Sequence, residues 1–200
     1  QRQMCIRDRI YDKNGSYTSS FMASRLWVAD YAAKNEMGKV LDFNELAESS
    51  GEKTGKGIKR LGVLRADVDG LGAAFIAGFI HKENKNPEAY ATLSRYAALS
   101  RSMALFFRKI INSICKKELP KGIKPFYLFE DKDGEPRKIH VVYSGGDDLF
   151  LVGAWDDLMG FAVDLKRAFS VYTNGKLTFS AGLGLYSSCL LYTSDAADEL

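Results

Sequence analysis

The sequence predicts an α+β domain in which a strand-helix-strand-strand-helix-strand order builds an antiparallel sheet with its helices on one face. Three observations predict it: an apolar run at 61–68 that stops at acids, two stretches with apolar residues three and four apart, and a Gly-Gly turn between extended segments. Residues 61–68 (LGVLRADV) lie between a Gly/Lys loop and Asp69-Gly70, and read as a buried strand. Asn86-Pro87 is expected to start a long helix. Its apolar positions Leu93, Tyr96, Met103, Phe106, Phe107, Ile110 and Ile114 share one face, and Arg95, Arg101, Arg108 and Lys109 take the other. Residues 125–130 and 138–144 are extended segments separated by the turn-rich DKDGEPR, and another strand follows at 148–152, so VVYSGGDDLFLV reads as a tight hairpin. Residues 156–172 form a second amphipathic helix, with Leu158, Phe161, Ala162, Leu165, Phe169 and Tyr172 on one stripe and Asn174-Gly175 as its stop. Residues 176–186 alternate Leu177, Phe179, Ala181, Leu183 and Leu185 with small or polar residues, the pattern of a half-buried closing strand. With one extra strand ahead of the second, this is the order of a ferredoxin-like palm. Before it, 21–46 read as a helical lead-in, and 49–59 as a solvated linker. That linker is no P-loop, because no glycine pair has the spacing G-x4-G-K-[ST].

Composition narrows the class. With 46% hydrophobic and 26% charged residues and only four prolines, disorder, collagen and disulfide scaffolds are excluded. The apolar runs break long before the roughly 20 residues of a bilayer span, so no membrane partner is expected. Cys5, Cys115 and Cys189 match no zinc or redox spacing and suit a reducing cytoplasm. A net charge of +3 is too small to argue for nucleic acid, so any anionic ligand must be held by a local arrangement.

The two ends read as scars. QRQMCIRDR at 1–9 and CLLYTSDAADE from Cys189 onward are encoded by opposite strands of one adapter-like duplex, as an open reading frame running into library adapter on both sides would be. The domain reading is therefore scar at 1–9, lead-in and linker at 10–60, palm at 61–188 and scar at 189–200. The natural piece, 10–188, carries 25 basic and 21 acidic residues. It is expected to lack its true start and end.

Carboxylates gather where strands stop: Asp67 and Asp69 after the first strand, and Asp147 and Asp148 at the hairpin tip. In a ferredoxin-like sheet these strands are antiparallel neighbours, which is expected to bring the four acids together. Clustered carboxylates raise one another's pKa unless a cation lies between them. Mg2+ suits such a place, since it takes one or two carboxylates plus water and substrate phosphates. Strand parity lets only one hairpin acid share the face of Asp67, and Asp148 is that partner. Gly145 and Gly146 are expected to supply the turn and to let a phosphate approach backbone N–H groups. The alternative, a bare Gly/Asp hairpin turn, is weakened by the second acidic strand end. His81 and His140 are isolated and read as surface or sheet residues, and Lys116-Lys117 and Lys166-Arg167 as solvated helix faces.

The segments RLGVLRADVDGLGAAFIAGF and VVYSGGDDLFLVGAWDDL resemble the second palm domain of the large signature subunit of type III-A (Csm) CRISPR effector complexes, itself related to the GGDEF nucleotidyl cyclases. The likeness runs over about 43–186 and includes FNELAESSG, SRYAALSRSMALFFRKIIN and KLTFSAGLGLY. It implies synthesis of cyclic oligoadenylate from ATP when the complex, with its other Csm subunits and crRNA, captures target RNA. It further implies that Asp67 and Asp148 hold Mg2+ or Mn2+ with Asp147 assisting, and that Ser144, Gly145 and Gly146 line the phosphate pocket. Members of the family commonly carry an HD nuclease domain acting on single-stranded DNA, and this chain has no His-Asp dipeptide. The piece is expected to be inactive alone. Two other readings remain at this stage: a diguanylate-cyclase-like GGDEF domain using GTP, set back by Asp148 where that family has Glu, and a non-catalytic palm scaffold in a ribonucleoprotein.

Overall fold

The computed structural model describes residues 10–13, 23–51, 57–81, 83, 85–132 and 134–187, so the scar-like ends at 1–9 and 189–200 lie outside the described residues. Four strands, β3 (Leu61–Val68), β4 (Ile139–Gly145), β5 (Asp148–Ala154) and β6 (Phe179–Tyr186), form an antiparallel sheet in the order β4-β5-β3-β6. This is the ferredoxin-like arrangement expected, with the two acid-bearing strands at the centre. A separate parallel pair joins β1 (Ile10–Lys13) to β2 (Ala23–Leu26).

The sheet's inner face follows from parity. Leu64, Ala66 and Val68 of β3 and Leu149 and Leu151 of β5 are buried, whereas Arg65 and Asp67 between them are exposed. Over the inner face lie α3 (Leu93–Leu105), a π-helical segment at Phe106–Ile110, α4 (Ile111–Cys115) and α5 (Trp155–Tyr172). The seam is aromatic: Phe106 meets Phe169 edge-on with ring centroids 5.0 Å apart, and Phe169 meets Phe179 at 5.8 Å. α5 ends where Asn174 and Gly175 turn left-handed, at φ 51° and 68°, and the Gly175 N–H caps the Ser170 carbonyl.

The lead-in departs from the expected helix. Only α1 (Phe43–Glu48) is helical, started by a capping box in which Asp42 and Glu45 exchange side-chain and backbone bonds. Residues 27–42 run mainly extended, and the stretch around Ala32 bridges to β4, with Ala33 N–H donating to the Ile139 carbonyl and Val141 N–H to the Tyr31 carbonyl. Pairing with a sheet edge overrides the apolar spacing that suggested a helix. Ala33, Leu46 and Ala47 then pack with Leu61 and Val152, so the lead-in covers the lower part of the sheet's outer face. His140 pins it there: Nδ1 accepts from the Ala33 N–H at 3.2 Å, which leaves Nε2 to donate to the Leu41 carbonyl at 2.7 Å.

Three further expectations are corrected. The first long helix starts at Leu93 rather than at Asn86-Pro87, because 87–92 is taken up by turns and an extended Thr92. Residues 125–130 join no strand; the Phe126 N–H is spent on the Asp164 carboxylate instead of a ladder. A short helix not foreseen, α2 (Leu71–Ala77), follows β3.

That Asp164 belongs to a buried ionic latch. The Arg137 guanidinium, 1% exposed, pairs with Asp164 and donates to the carbonyls of Asp157 and Phe126 at 3.2 and 3.1 Å. A Cβ at Gly160 would collide with that guanidinium, so the helix can pass here only with glycine. Nearby, buried Lys132 pairs with Asp156 and donates to the Ser49 carbonyl at 2.8 Å, tying α5 to the end of α1. Removing one partner strands a buried charge, at a cost of about 3–5 kcal/mol. Arg137→Met is therefore expected to lower the denaturant midpoint sharply, and the double variant Arg137→Met/Asp164→Leu to recover most of the loss; equal midpoints for the single variant and the parent would refute the latch.

Burial raises the pKa of Asp157, an effect partly offset by the Lys138 N–H that donates to it at 2.9 Å. The native state thus keeps a proton that the unfolded chain has released. Stability is expected to fall as pH rises from the ordinary carboxylate range through the raised value. Asp157→Asn should flatten that slope in unfolding curves taken across the acid-to-neutral range.

Candidate active site at the ends of the central strands

The β3–β5 register sets Asp67 directly opposite Asp148. Both side chains belong to the outer face, above the part the lead-in covers: Asp67 is exposed and Asp148 partly so. Like charges directly opposite each other on neighbouring strands destabilise a sheet, with Cβ atoms about 4.5–5.5 Å apart. Among the described residues neither carboxylate has a basic partner. A cavity of about 560 Å³ opens over them, lined by Arg65, Ala66, Asp67, Asp148, Ser180, Ala181 and Gly182. This donor set fits Mg2+ or Mn2+, which needs one or two carboxylates and fills its remaining positions with water and phosphate oxygen.

The expected meeting of four acids reduces to this pair. Asp69 is drawn toward β6: its N–H donates to the Thr178 carbonyl, and its carboxylate accepts from the hydroxyls of Thr178 at 2.8 Å and Ser180 at 2.6 Å. Those hydroxyls hold the Asp69 pKa below the usual carboxylate value. Asp147 occupies the turn, beyond the paired part of β5. Among the described residues no three His, Cys, Asp or Glu side chains gather tightly enough to hold a metal ion without other ligands.

The hairpin closes through Gly146 and Asp147, with Gly145 paired to Asp148. Gly146 has φ 65° while Asp147 does not share the left-handed region, the signature of a II′ turn. Conformation therefore demands glycine at 146. Gly145 lies in the strand, where a Cβ would touch the Tyr143 ring, whose hydroxyl oxygen is 3.4 Å from that position, whereas nothing stands within 4 Å of the corresponding position at Gly146.

Ser144, expected on the phosphate pocket, faces the helices. It pairs with buried Leu149, and its hydroxyl donates to the Phe107 carbonyl in the π segment. π turns widen a helix locally and recur beside functional sites. Here the widened turn offers a carbonyl that fastens the hairpin from below. The reason Ser144 points inward is a one-residue bulge at Val142, which breaks the alternation between Val141 and Tyr143. Nothing in the sequence flagged the bulge or the π turn. Arg65, which the sequence reading passed over, is the one basic residue in the run 61–68 and shares the outward face with Asp67.

The fold and site define a class: an antiparallel ferredoxin-like palm with an acidic pair across its two central strands. The model of the family described as Cas10/Cmr2, second palm domain, matches residues 60–193. The chain belongs to that family, as its GGDD hairpin and Asp-Val-Asp element implied. It is 42% identical over 178 residues to the CRISPR system single-strand-specific deoxyribonuclease Cas10/Csm1 (subtype III-A) of Mycobacterium tuberculosis, covering 89% of this chain and 20% of that protein. The Streptococcus thermophilus protein of the same description is 39% identical over 179 residues, covering 90% and 20%. Among solved structures, a Csm1-Csm4 cassette in complex with cA4 superposes with a TM-score of 0.68 at 36% identity, covering 90% of this chain and 24% of that one. A cassette in complex with one ATP gives 0.67 at 37%, covering 90% and 23%. The chain thus spans about a fifth of the length of the curated relatives it matches.

Ser144→Ala should cost about 1 kcal/mol and raise amide exchange at Asp148 and Leu149; unchanged protection there would show that the hairpin is held without this hydroxyl.

Proposed function

We propose that this palm is the nucleotidyl-transfer half of a type III-A effector subunit, joining ATP into cyclic oligoadenylate with Mg2+ or Mn2+. The observation that carries the reading is the facing, unneutralised pair Asp67 and Asp148 on the uncovered part of the sheet. The ATP and cA4 complexes of related Csm1-Csm4 cassettes support the same substrate and product.

In this reading Asp67 and Asp148 gather the cation, Asp147 assists from the turn, and the open backbone at Gly146, with Gly145 beside it under the Tyr143 ring, admits phosphate oxygens. A divalent ion held there would lower the pKa of a ribose 3′-hydroxyl and neutralise departing pyrophosphate. No side-chain nucleophile is required, in keeping with an outer surface that presents Arg65, Asp67 and Asp148 but no Cys or His at the cavity. His140 is occupied on both ring nitrogens. Ser144 contributes by holding the turn rather than by touching the nucleotide.

The wider assignment rests on kinship. Other Csm subunits, crRNA and target RNA would reach the domain within the complex, in the cytoplasm, and an HD domain elsewhere in the full-length protein would cut single-stranded DNA. We keep the boundaries 61–188 for the palm and 10–60 for the lead-in, with adapter-derived ends outside them. A scaffold role would leave two opposed carboxylates with no use.

The test is direct. In the assembled full-length subunit, Asp67→Ala and Asp148→Ala should each abolish ATP oligomerisation and remove the thermal stabilisation that Mn2+ gives the parent. Persistence of both in Asp148→Ala would overturn the reading, and product from GTP but not ATP would favour a diguanylate-cyclase-like domain. Residues 10–188 alone should form no product.

A further inference from the structure

Arg65 is the feature of the outer face that the proposed chemistry has not used. It lies two residues before Asp67 on β3, on the same face, at a strand separation of roughly 6.6–6.8 Å. Its cross-strand neighbours are Phe150 on β5 and Gly182 on β6, and no atom stands within 4 Å of where a Cβ of Gly182 would be. The guanidinium thus borders a floor that is open on the β6 side, in the same 560 Å³ cavity as the acidic pair. Among the described residues it makes no ion pair and no hydrogen bond, although Asp67 and Asp148 are the nearest anionic positions in register. Arg65 is exposed and packs against no core residue in register, so its charge does no structural work on this face. Its cation is available to an anion that arrives from outside.

The chemistry of that anion follows from the fork. A guanidinium has five donors and no acceptor, and it matches the paired oxygens of a phosphoryl group. With its backbone two residues from Asp67 on the same face, a side chain of this length can reach a phosphoryl group next to one held over Asp67 and Asp148. We propose that Arg65 is a phosphate-binding residue of this site, receiving a phosphoryl group of a nucleotide whose neighbouring phosphate lies over the acidic pair. This rests on the nucleotidyl-transfer reading and adds a residue to it. The phosphoryl group comes either from the triphosphate of ATP or from the phosphodiester of a growing chain, and these share one contact chemistry.

Binding separates the possibilities without relying on turnover. In the full-length subunit assembled with its partner, calorimetry would compare ATP, the dinucleotide ApA and adenosine on the parent, Arg65→Ala and Arg65→Lys. Loss of a charge-assisted contact should weaken a phosphate-bearing ligand by about 10- to 100-fold in Arg65→Ala. Adenosine should bind all three proteins equally. Arg65→Lys should recover part of the loss, since it keeps the charge and gives up the fork. Weakening of ATP assigns the contact to the triphosphate, and weakening of ApA alone assigns it to the phosphodiester. Equal weakening of adenosine and ATP would mean the guanidinium meets the base, and unchanged ATP and ApA would mean it meets nothing; either overturns the proposal. Because Arg65 is exposed, its variants should melt with the parent, which thermal unfolding checks. If the parent itself binds no ATP, the nucleotidyl-transfer reading has failed and this proposal falls with it. If ATP binds the parent but Arg65→Ala binds both ATP and ApA as tightly as the parent does, only the arginine is at fault.

Discussion

Two like charges held face to face across the central strands are the constraint around which the rest of the domain is arranged. The β3–β5 register fixes them. Seven consecutive pairs, from Leu61↔Ala154 to Asp67↔Asp148, share that ladder. A slip by one residue would send Asp67 or Asp148 into the helix layer and pull buried leucines into water. Apolar packing of Leu64, Ala66, Leu149 and Leu151 therefore enforces an arrangement that is electrostatically unfavourable at its end. Hydrophobic burial distributed along the ladder outweighs one local repulsion, and the repulsion is what makes the strand ends receptive to a cation.

The outer face is divided to serve this. Its lower part is closed by the lead-in, through Ala33, Leu46 and Ala47 against Leu61 and Val152. Its upper part is left open, with small residues on β6 as neighbours. The latch of Arg137, Asp164, Lys132 and Asp156 keeps the closed part in place by joining α5, the 125–137 stretch and the end of α1. Buried ion pairs of this kind add little net stability over apolar replacements. What they add here is directional, since each donor reaches a specific carbonyl or carboxylate.

Much of this was legible in the sequence because period and punctuation agreed with the tertiary structure. The strand at 61–68, the hairpin, α5 with its Asn-Gly stop and the partnership of Asp67 with Asp148 all follow from parity and turn chemistry. The failures share a physical cause. Residues 27–42 and 125–130 spend their backbone groups on distant partners, a strand edge in one case and Asp164 in the other, and such pairing leaves no local trace. Asp69 was misjudged for the same reason: the hydroxyls that hold it stand on β6 and on the residue just before it, 111 and 109 residues away. Ser144 was assigned to the phosphate pocket by resemblance alone, and the bulge that turns it inward depends on pairing with β5, which the sequence does not display.

That break at Val142 gives the chain an arithmetic requirement. The extra residue shifts the phase of β4 by one, so that Tyr143 stands outside with Phe150 and Ser144 inside with Leu149. Substitution at this exposed position leaves the phase intact, whereas excision of a single residue would invert everything between it and the turn. The spacing from Ile139 to Gly145 is thus constrained more tightly than the identity of the side chain in the middle of it, and sequence divergence here should proceed by replacement rather than by loss or gain of length.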